Sequence, residues 1–252
     1  MNIIVPFKAV ADDQDLVVAP DGTLDRSRAR RIVSIYDLNA IEAAAQLAAQ
    51  HEGSRVVAVT VADAASDDSK LKKNVLSRGV DELIMVTDDS CADLDARSTA
   101  VQIASLIEAM DGYDLVVCGD GSADVYAQQV GVQLTHALDA PCITGVSSIK
   151  AVDGGIVVDR MLETTVETVE VSLPAVITVT PDVAVPRIPG MKDILAAGKK
   201  PSRVDGPREL LPASIEVLAE RAPEQAKRKG ELYDAAVDGD LDKFIKAVKA
   251  AL

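Results

Sequence analysis

Asp114-Leu115-Val116-Val117-Cys118 is a short apolar run, and Gly119-Asp120-Gly121-Ser122-Ala123-Asp124-Val125-Tyr126-Ala127-Gln128-Gln129-Val130-Gly131 follows it directly. The run reads as a strand buried on both faces. The glycine- and serine-bearing stretch reads as the loop leaving its carboxyl end and entering a helix. In open α/β sheets that strand end is where ligands bind. Glycines there let backbone amides approach a phosphate, and a helix N-terminus adds oriented donors and a favourable dipole. An ordinary strand-to-helix turn capped by Ser122 or Asp124 would account for the same spacing. The stretch is neither a Walker loop, lacking Gly-Lys-Ser/Thr, nor a Gly-x-Gly-x-x-Gly fingerprint.

Upstream, Asn2–Phe7, Arg55–Val61 and Glu82–Thr87 are similar Val/Ile/Leu-rich runs. Between the four runs lie Asp37–His51, Asp67–Arg78 and Asp95–Ala109, each long enough for a crossover helix. Leu38, Ile41, Ala45 and Ala48 fall at helical spacing in the first, and Gly53 is placed to end that segment. This alternation predicts an α/β fold with a doubly wound, mostly parallel sheet. Val146–Val152 and Ile156–Leu162 then flank the hairpin turn Asp153-Gly154-Gly155, and Thr164–Ser172 alternates, so an antiparallel element is expected. Ala175–Thr180 is a further buried run that returns to the main sheet. Beyond it, six prolines from Pro181 to Pro212 argue against a central strand or long helix. The expected organisation is therefore a domain over 1–180 and an extended C-terminal arm over 181–252. The arm holds a helical turn at Met191–Ala197 and a final helix at Leu241–Leu252. Leu241, Phe244, Ile245, Val248 and Leu252 share one face of that helix, which suits a partner surface.

Aromatic residues are 2% of the chain, with no Trp, so Val, Ile, Leu and Ala must build the core. The net charge of −14 disfavours nucleic acid and anionic membranes, both of which recruit Lys and Arg. Three cysteines without metal-ligand spacing suit a reduced interior, and no apolar run reaches the ~18 residues of a membrane span. A cytoplasmic protein without a signal peptide is expected. His51 and His136 lie far apart in sequence and no nucleophile–base pairing is visible, so catalytic residues are not expected. A second binding element is Ser34-Ile35-Tyr36-Asp37, ahead of the first crossover helix and expected at the same sheet end as the glycine loop. Pro6-Phe7-Lys8 should lie there too. Ser34 and Asp37 also have the spacing of a capping box, a structural role that would explain them alone.

The chain resembles the β subunits of electron-transfer flavoproteins, and most closely their FixA-like branch, found beside carnitine-pathway and other acyl-CoA systems. The resemblance is carried by Ser34 through Ala44, Leu76-Ser77-Arg78-Gly79, Cys118 through Gly131, Leu173-Pro174-Ala175-Val176, Ile188-Pro189-Gly190-Met191-Lys192 and Lys199-Lys200-Pro201. It implies an adenine-nucleotide alpha hydrolase-like fold and a heterodimer with an α subunit that carries a redox-active FAD. Electrons would then pass from acyl-CoA dehydrogenase-like partners or NADH to acceptors such as a quinone oxidoreductase. The β subunit would itself hold AMP or, in electron-bifurcating members, a second FAD. Carried onto this chain, the nucleotide contacts are Pro6, Ser34, Tyr36, Asp37 and Val61, with phosphates on Gly119, Asp120, Gly121 and Ser122 and on Ala127, Gln128, Gln129 and Val130. AMP-binding relatives have Asn-Gln-Thr where Gln128-Gln129-Val130 stands, while FAD-binding relatives resemble this chain in having Val before the glycine, so FAD is preferred. Tyr36 stands where relatives have Phe near the α-subunit flavin, and Ile188 and Met191 correspond to the segment that docks dehydrogenases. A non-redox nucleotide sensor of the stress-protein type is the alternative, and it would have no use for the long arm. A pyrophosphatase-loop enzyme would need a Ser-Gly-Gly loop where Pro6-Phe7-Lys8-Ala9 stands.

Overall fold

The computed structural model describes residues 1–208, 210–223 and 230–251. Its strands are β1 Asn2–Pro6, β2 Ala9–Ala11, β3 Val17–Val18, β4 Leu24–Asp25, β5 Arg31–Val33, β6 Arg55–Ala62, β7 Glu82–Thr87, β8 Leu115–Gly119, β9 Cys142–Val152, β10 Gly155–Met161, β11 Val166–Ser172, β12 Ala175–Val179 and β13 Ser202–Asp205. The helices are α1 Ile35–Gln50, α2 Ser69–Leu76, α3 Ala96–Glu108, α4 Val130–Ala137, α5 Met191–Ala197 and α6 Asp240–Ala251.

Nine strands form one sheet in the order β11-β10-β9-β12-β8-β1-β6-β7-β13. Every neighbouring pair from β9 to β13 is parallel, while β9–β10 and β10–β11 are antiparallel. The mostly parallel α/β fold and its antiparallel element are thus as expected from the alternation of patterns. Alternate residues of each central strand face opposite layers. Ile3 and Val5 join one core cluster with Ile41, Leu47 and Leu76 of α1 and α2. Ile4 joins the other with Ile103 and Ile107 of α3 and Leu134 of α4. Burial on both faces is why these strands are continuously apolar. The topology places a switch point at β1. The chain runs outward through β6 and β7, then crosses back to lay β8 on the other side of β1. The carboxyl ends of β1 and β8 therefore diverge into a crevice.

Residues 181–205 cross α1 on their way to the far edge of the sheet. The buried Asn39 amide donates to the carbonyls of Pro181 (3.2 Å) and Ala184 (2.8 Å). Glu42 receives Arg187 through two side-chain hydrogen bonds of 2.6 and 3.0 Å. The Lys200 ammonium donates to the carbonyls of Leu76 and Val80, and β13 then pairs with β7. Sequence reading shows no strand at Ser202–Asp205. With Pro201 and Pro207 at its flanks it is confined to four residues, and as an edge strand it needs donors on one side only. The polar Asn39 and Glu42 on the inner face of α1 likewise have their explanation in this strap, whose partners lie some 145 residues away.

By contact density the chain divides into two units, Met1–Val17 with Asp25–Ala219 and Val18–Leu24 with Glu220–Leu252. In the smaller unit Thr23 bridges Arg221, and the Ala222 amide donates to the Gly22 carbonyl (2.8 Å). The Phe244 ring of α6 meets Tyr233 edge-on at 5.8 Å. The apolar face expected on the last helix is present, with Leu241, Phe244, Ile245 and Val248 partly exposed; Leu252 lies outside the described residues.

Asn39→Ala should leave two carbonyls, one of them buried, without that donor. It is expected to destabilise the larger unit by about 1–3 kcal/mol, measured as a shift of the urea midpoint at unchanged slope.

Candidate functional site

The crevice at the switch point is bridged by one side chain. Asp37, in the first turn of α1, is buried. Its carboxylate accepts the Lys8 amide (2.8 Å) at the end of β1 and the Gly119 amide at the end of β8. Burial pushes the Asp37 carboxyl up to about 7, against the pull of those two amides, the Lys8 charge and the Ser34 hydroxyl. Gly119 is required by this closeness. A Cβ there would strike the Asp37 carboxylate and come within 3.0 Å of the Tyr36 carbonyl carbon.

Ser34 stands at the N-cap of α1 but makes no capping hydrogen bond with its side chain. Fully buried, its hydroxyl accepts the Ala123 amide at 3.3 Å. The capping-box spacing of Ser34 and Asp37 is thus put to a different use: Ser34 reaches across to the β8–α4 loop and Asp37 to the ends of β1 and β8. That loop is also more than a capped turn. Helix α4 begins only at Val130, and neither Ser122 nor Asp124 caps it. Asp124 instead pairs with the Lys8 ammonium (2.7 Å) and receives the Ser122 hydroxyl (2.6 Å). Although its own burial pushes it up, these partners hold Asp124 below the usual carboxylate range.

The loop closes on itself through Asp120. One carboxylate oxygen accepts the Tyr126 hydroxyl (2.9 Å), the other the Gln128 amide (3.1 Å). That hydrogen bond pushes the Tyr126 phenol up to about 12. The Tyr126 ring lies 4.9 Å from that of Tyr36, inclined at 44°. It also covers Gly121, where an added Cβ would lie 2.6 Å from ring carbon Cε2. Gly131, inside α4, lets the helix pack onto β12 and β8, since a Cβ there would meet the Thr178 methyl at 2.6 Å.

Hydrogen bonds and ring contacts thus join Ser34, Tyr36, Asp37, Gly119, Asp120, Gly121, Ser122 and Gln128, while Ala127, Gln129 and Val130 continue the same loop into α4. Pro6 and Val61 mark the carboxyl ends of β1 and β6, neighbouring parallel strands at that end of the sheet. Sequence reading passed over Tyr126 and Asp124 as members. The signal available for Tyr126 was its rarity, one of only four tyrosines in the chain, inside a glycine-bearing loop. His51 follows the last residue of α1 and His136 lies in the last turn of α4, at the C-terminal ends of two different helices. Cys118 is enclosed in the sheet and burial pushes its thiol well up; all three cysteines are free. Among the described residues no cluster of His, Cys, Asp or Glu is placed to hold a metal ion, and no helix is long and apolar enough to cross a membrane.

Fold and crevice define an open-sheet α/β protein with a structured loop at the switch point, of the kind that binds a ligand outside its strand ends. The family model of the electron transfer flavoprotein domain matches residues 21–204, so the chain belongs to that family. The match is consistent with its β subunit, and a role in electron transport comes with membership. The proteins of this family are electron-transfer subunits rather than enzymes in their own right.

Replacing Asp37 by Asn puts an NH2 against a backbone N–H and should destabilise the chain by about 1–3 kcal/mol at pH 4. The folded state keeps a proton on Asp37 that the unfolded chain releases near the ordinary value of 3.8. The stability from that proton is full below about 3.8 and lost as the pH rises through about 7. The gap between wild type and Asp37→Asn should therefore narrow from pH 4 to pH 7 in parallel urea titrations; a gap that widens would show that Asp37 is held ionised.

Proposed function

We propose that this chain is the β subunit of an electron-transfer flavoprotein, binding FAD in preference to AMP at the carboxyl ends of β1, β6 and β8. The observation that carries this reading is the tethering of the Gly119–Val130 loop to Ser34, Tyr36 and Asp37 over the switch point of a chain that belongs to this family.

The residues present suit an anionic nucleotide. The first-turn amides of α4 have no carbonyl partner within the helix, and the Gln129 side chain at its N-cap makes no capping hydrogen bond to them. These amides lie at the positive end of the helix dipole. Lys8 and Asp124 pair with each other, and burial favours the neutral form of Asp37, so the local acids repel a phosphate less than their number suggests. Val130 gives the helix entrance an apolar side chain where a Thr hydroxyl would favour the phosphate of AMP. On this reading Gly119–Ser122 and Ala127–Val130 hold the phosphates, and Pro6, Ser34, Tyr36, Asp37 and Val61 surround the rest.

A bound flavin supplies hydride and single-electron chemistry. The protein positions the nucleotide, keeps water from one side of it and presents surfaces to partners. The α subunit carries the flavin that exchanges electrons with acyl-CoA dehydrogenase-like proteins or NADH and with acceptors such as a quinone oxidoreductase. Tyr36 packs at the subunit interface. Ile188 and Met191, exposed at 94% and 74%, stand ready as apolar contacts for such a partner on an arm whose path Asn39 and Glu42 hold against α1. The arm, 181–252, is the part of the chain devoted to partners, and the cytoplasm is its compartment.

Flavin and AMP content per heterodimer, measured after co-expression with the α subunit, tests this directly. Two FAD and no AMP is the expected result. One FAD with one AMP would remove the preference drawn from Val130, and no nucleotide beyond the α-subunit flavin would remove the site. In a β subunit that holds FAD, Val130→Thr should raise the retained AMP relative to FAD severalfold.

A further inference from the structure

We infer that Tyr126 is a positioning residue that clasps the β8–α4 loop into one conformation, its ring seated on Gly121 and its hydroxyl held by Asp120. Resting on the nucleotide reading above, this is the conformation in which the loop's amides would meet the phosphates.

Residues 120–129 connect a strand to a helix without any regular structure of their own. A free segment of that length would sample many conformations, and ordering it requires specific contacts. Two of its residues are held where side chains disfavour it: Tyr126 has φ +50° and Gln128 φ +56°, both in the left-handed region. Such conformations persist only where neighbouring contacts over-determine them, and they concentrate at binding sites. Here the contacts are identifiable. A single carboxylate, Asp120, receives the side chains of both left-handed residues, one on each oxygen. The Tyr126 amide donates to the Ser122 carbonyl (3.1 Å), drawing the middle of the loop back over its start. The ring then rests on Gly121 and meets Tyr36 of α1, so one side chain joins the start of the loop, its end and the neighbouring helix.

Gly121 takes its meaning from this clasp. Its own φ lies outside the left-handed region, so the backbone there does not demand glycine. What excludes a side chain is the tyrosine ring. Tyr126 remains 42% exposed, too open to contribute much to the core. Its loss should loosen the loop while leaving global stability nearly intact, which separates a positioning role from a structural one.

The test measures amide hydrogen exchange and the affinities for AMP and FAD in the full chain, for wild type, Tyr126→Phe, Tyr126→Ala, Gly121→Ala and the double variant. Tyr126→Ala is expected to speed exchange across 120–131 about tenfold or more and to weaken nucleotide binding similarly, with the unfolding midpoint close to wild type. Tyr126→Phe, which keeps the ring on Gly121, should recover most of both. Gly121→Ala should resemble Tyr126→Ala on its own and add nothing in its presence, because the new methyl then meets no ring. Unchanged exchange in Tyr126→Ala, an additive Gly121→Ala effect, or a loosened loop that binds nucleotide as tightly as wild type would each overturn the clasp. A wild type that takes up neither AMP nor FAD would defeat the nucleotide reading instead, and the exchange pattern with the Gly121 cycle would still decide the clasp.

Discussion

The buried side chain of Asp37 accepts amides from the ends of two adjacent strands and so ties together the two sides of the crevice. At a switch point the chains leaving β1 and β8 go opposite ways, so no ladder hydrogen bonds hold their ends together. A buried acceptor with two oxygens satisfies one donor from each. This brings the first turn of α1 down onto Gly119 and excludes any side chain at that position. Ser34 is thereby set within reach of Ala123, and Tyr36 opposite Tyr126. One polar contact in a desolvated place thus fixes the register of α1 against the loop.

A second layer of constraint lies on the solvent side of the loop. Asp120, Tyr126 and Gln128 hold one another, and Lys8 with Asp124 and Ser122 ties the middle of the segment to the end of β1. The acidic character of the loop, which would count against an anionic ligand, is largely spent on these internal partners. The first-turn amides of α4, which have no carbonyl partner within the helix and no side-chain cap, are the donors this arrangement leaves over.

The strap from Pro181 to Asp205 shows how the same helix serves two purposes. The first turn of α1 addresses the crevice through Ser34, Tyr36 and Asp37. The following turns hold the returning chain through Asn39 and Glu42, leaving Ile188 and Met191 in solvent. The polar residues of the Ser34–Glu42 stretch are therefore accounted for by long-range contacts rather than by helix propensity or capping. An exposed apolar arm secured at its root by buried polar contacts can meet a partner without first having to be ordered.

The parallel core was legible in the sequence because strands covered on both faces must be apolar throughout, and helices between them must show a period near 3.6. The hairpin announced itself through Asp153-Gly154-Gly155. The glycine loop was visible as a place where chemistry could sit, and the family resemblance named its neighbours. What the tertiary structure alone decided is the use of each residue there. Ser34 and Asp37 have capping-box spacing, yet their partners are Ala123, Lys8 and Gly119. Gly121 reads as room for a phosphate, yet its immediate neighbour is a tyrosine ring. The edge strand Ser202–Asp205 carries no strong pattern because half its hydrogen bonds go unpaired and none of its four residues is buried. Local sequence determines which elements form, since periodicity and turn chemistry act over a few residues. The partners of a buried polar group lie wherever the topology brings a donor, some 30 to 145 positions away here, and that is decided only when the sheet closes.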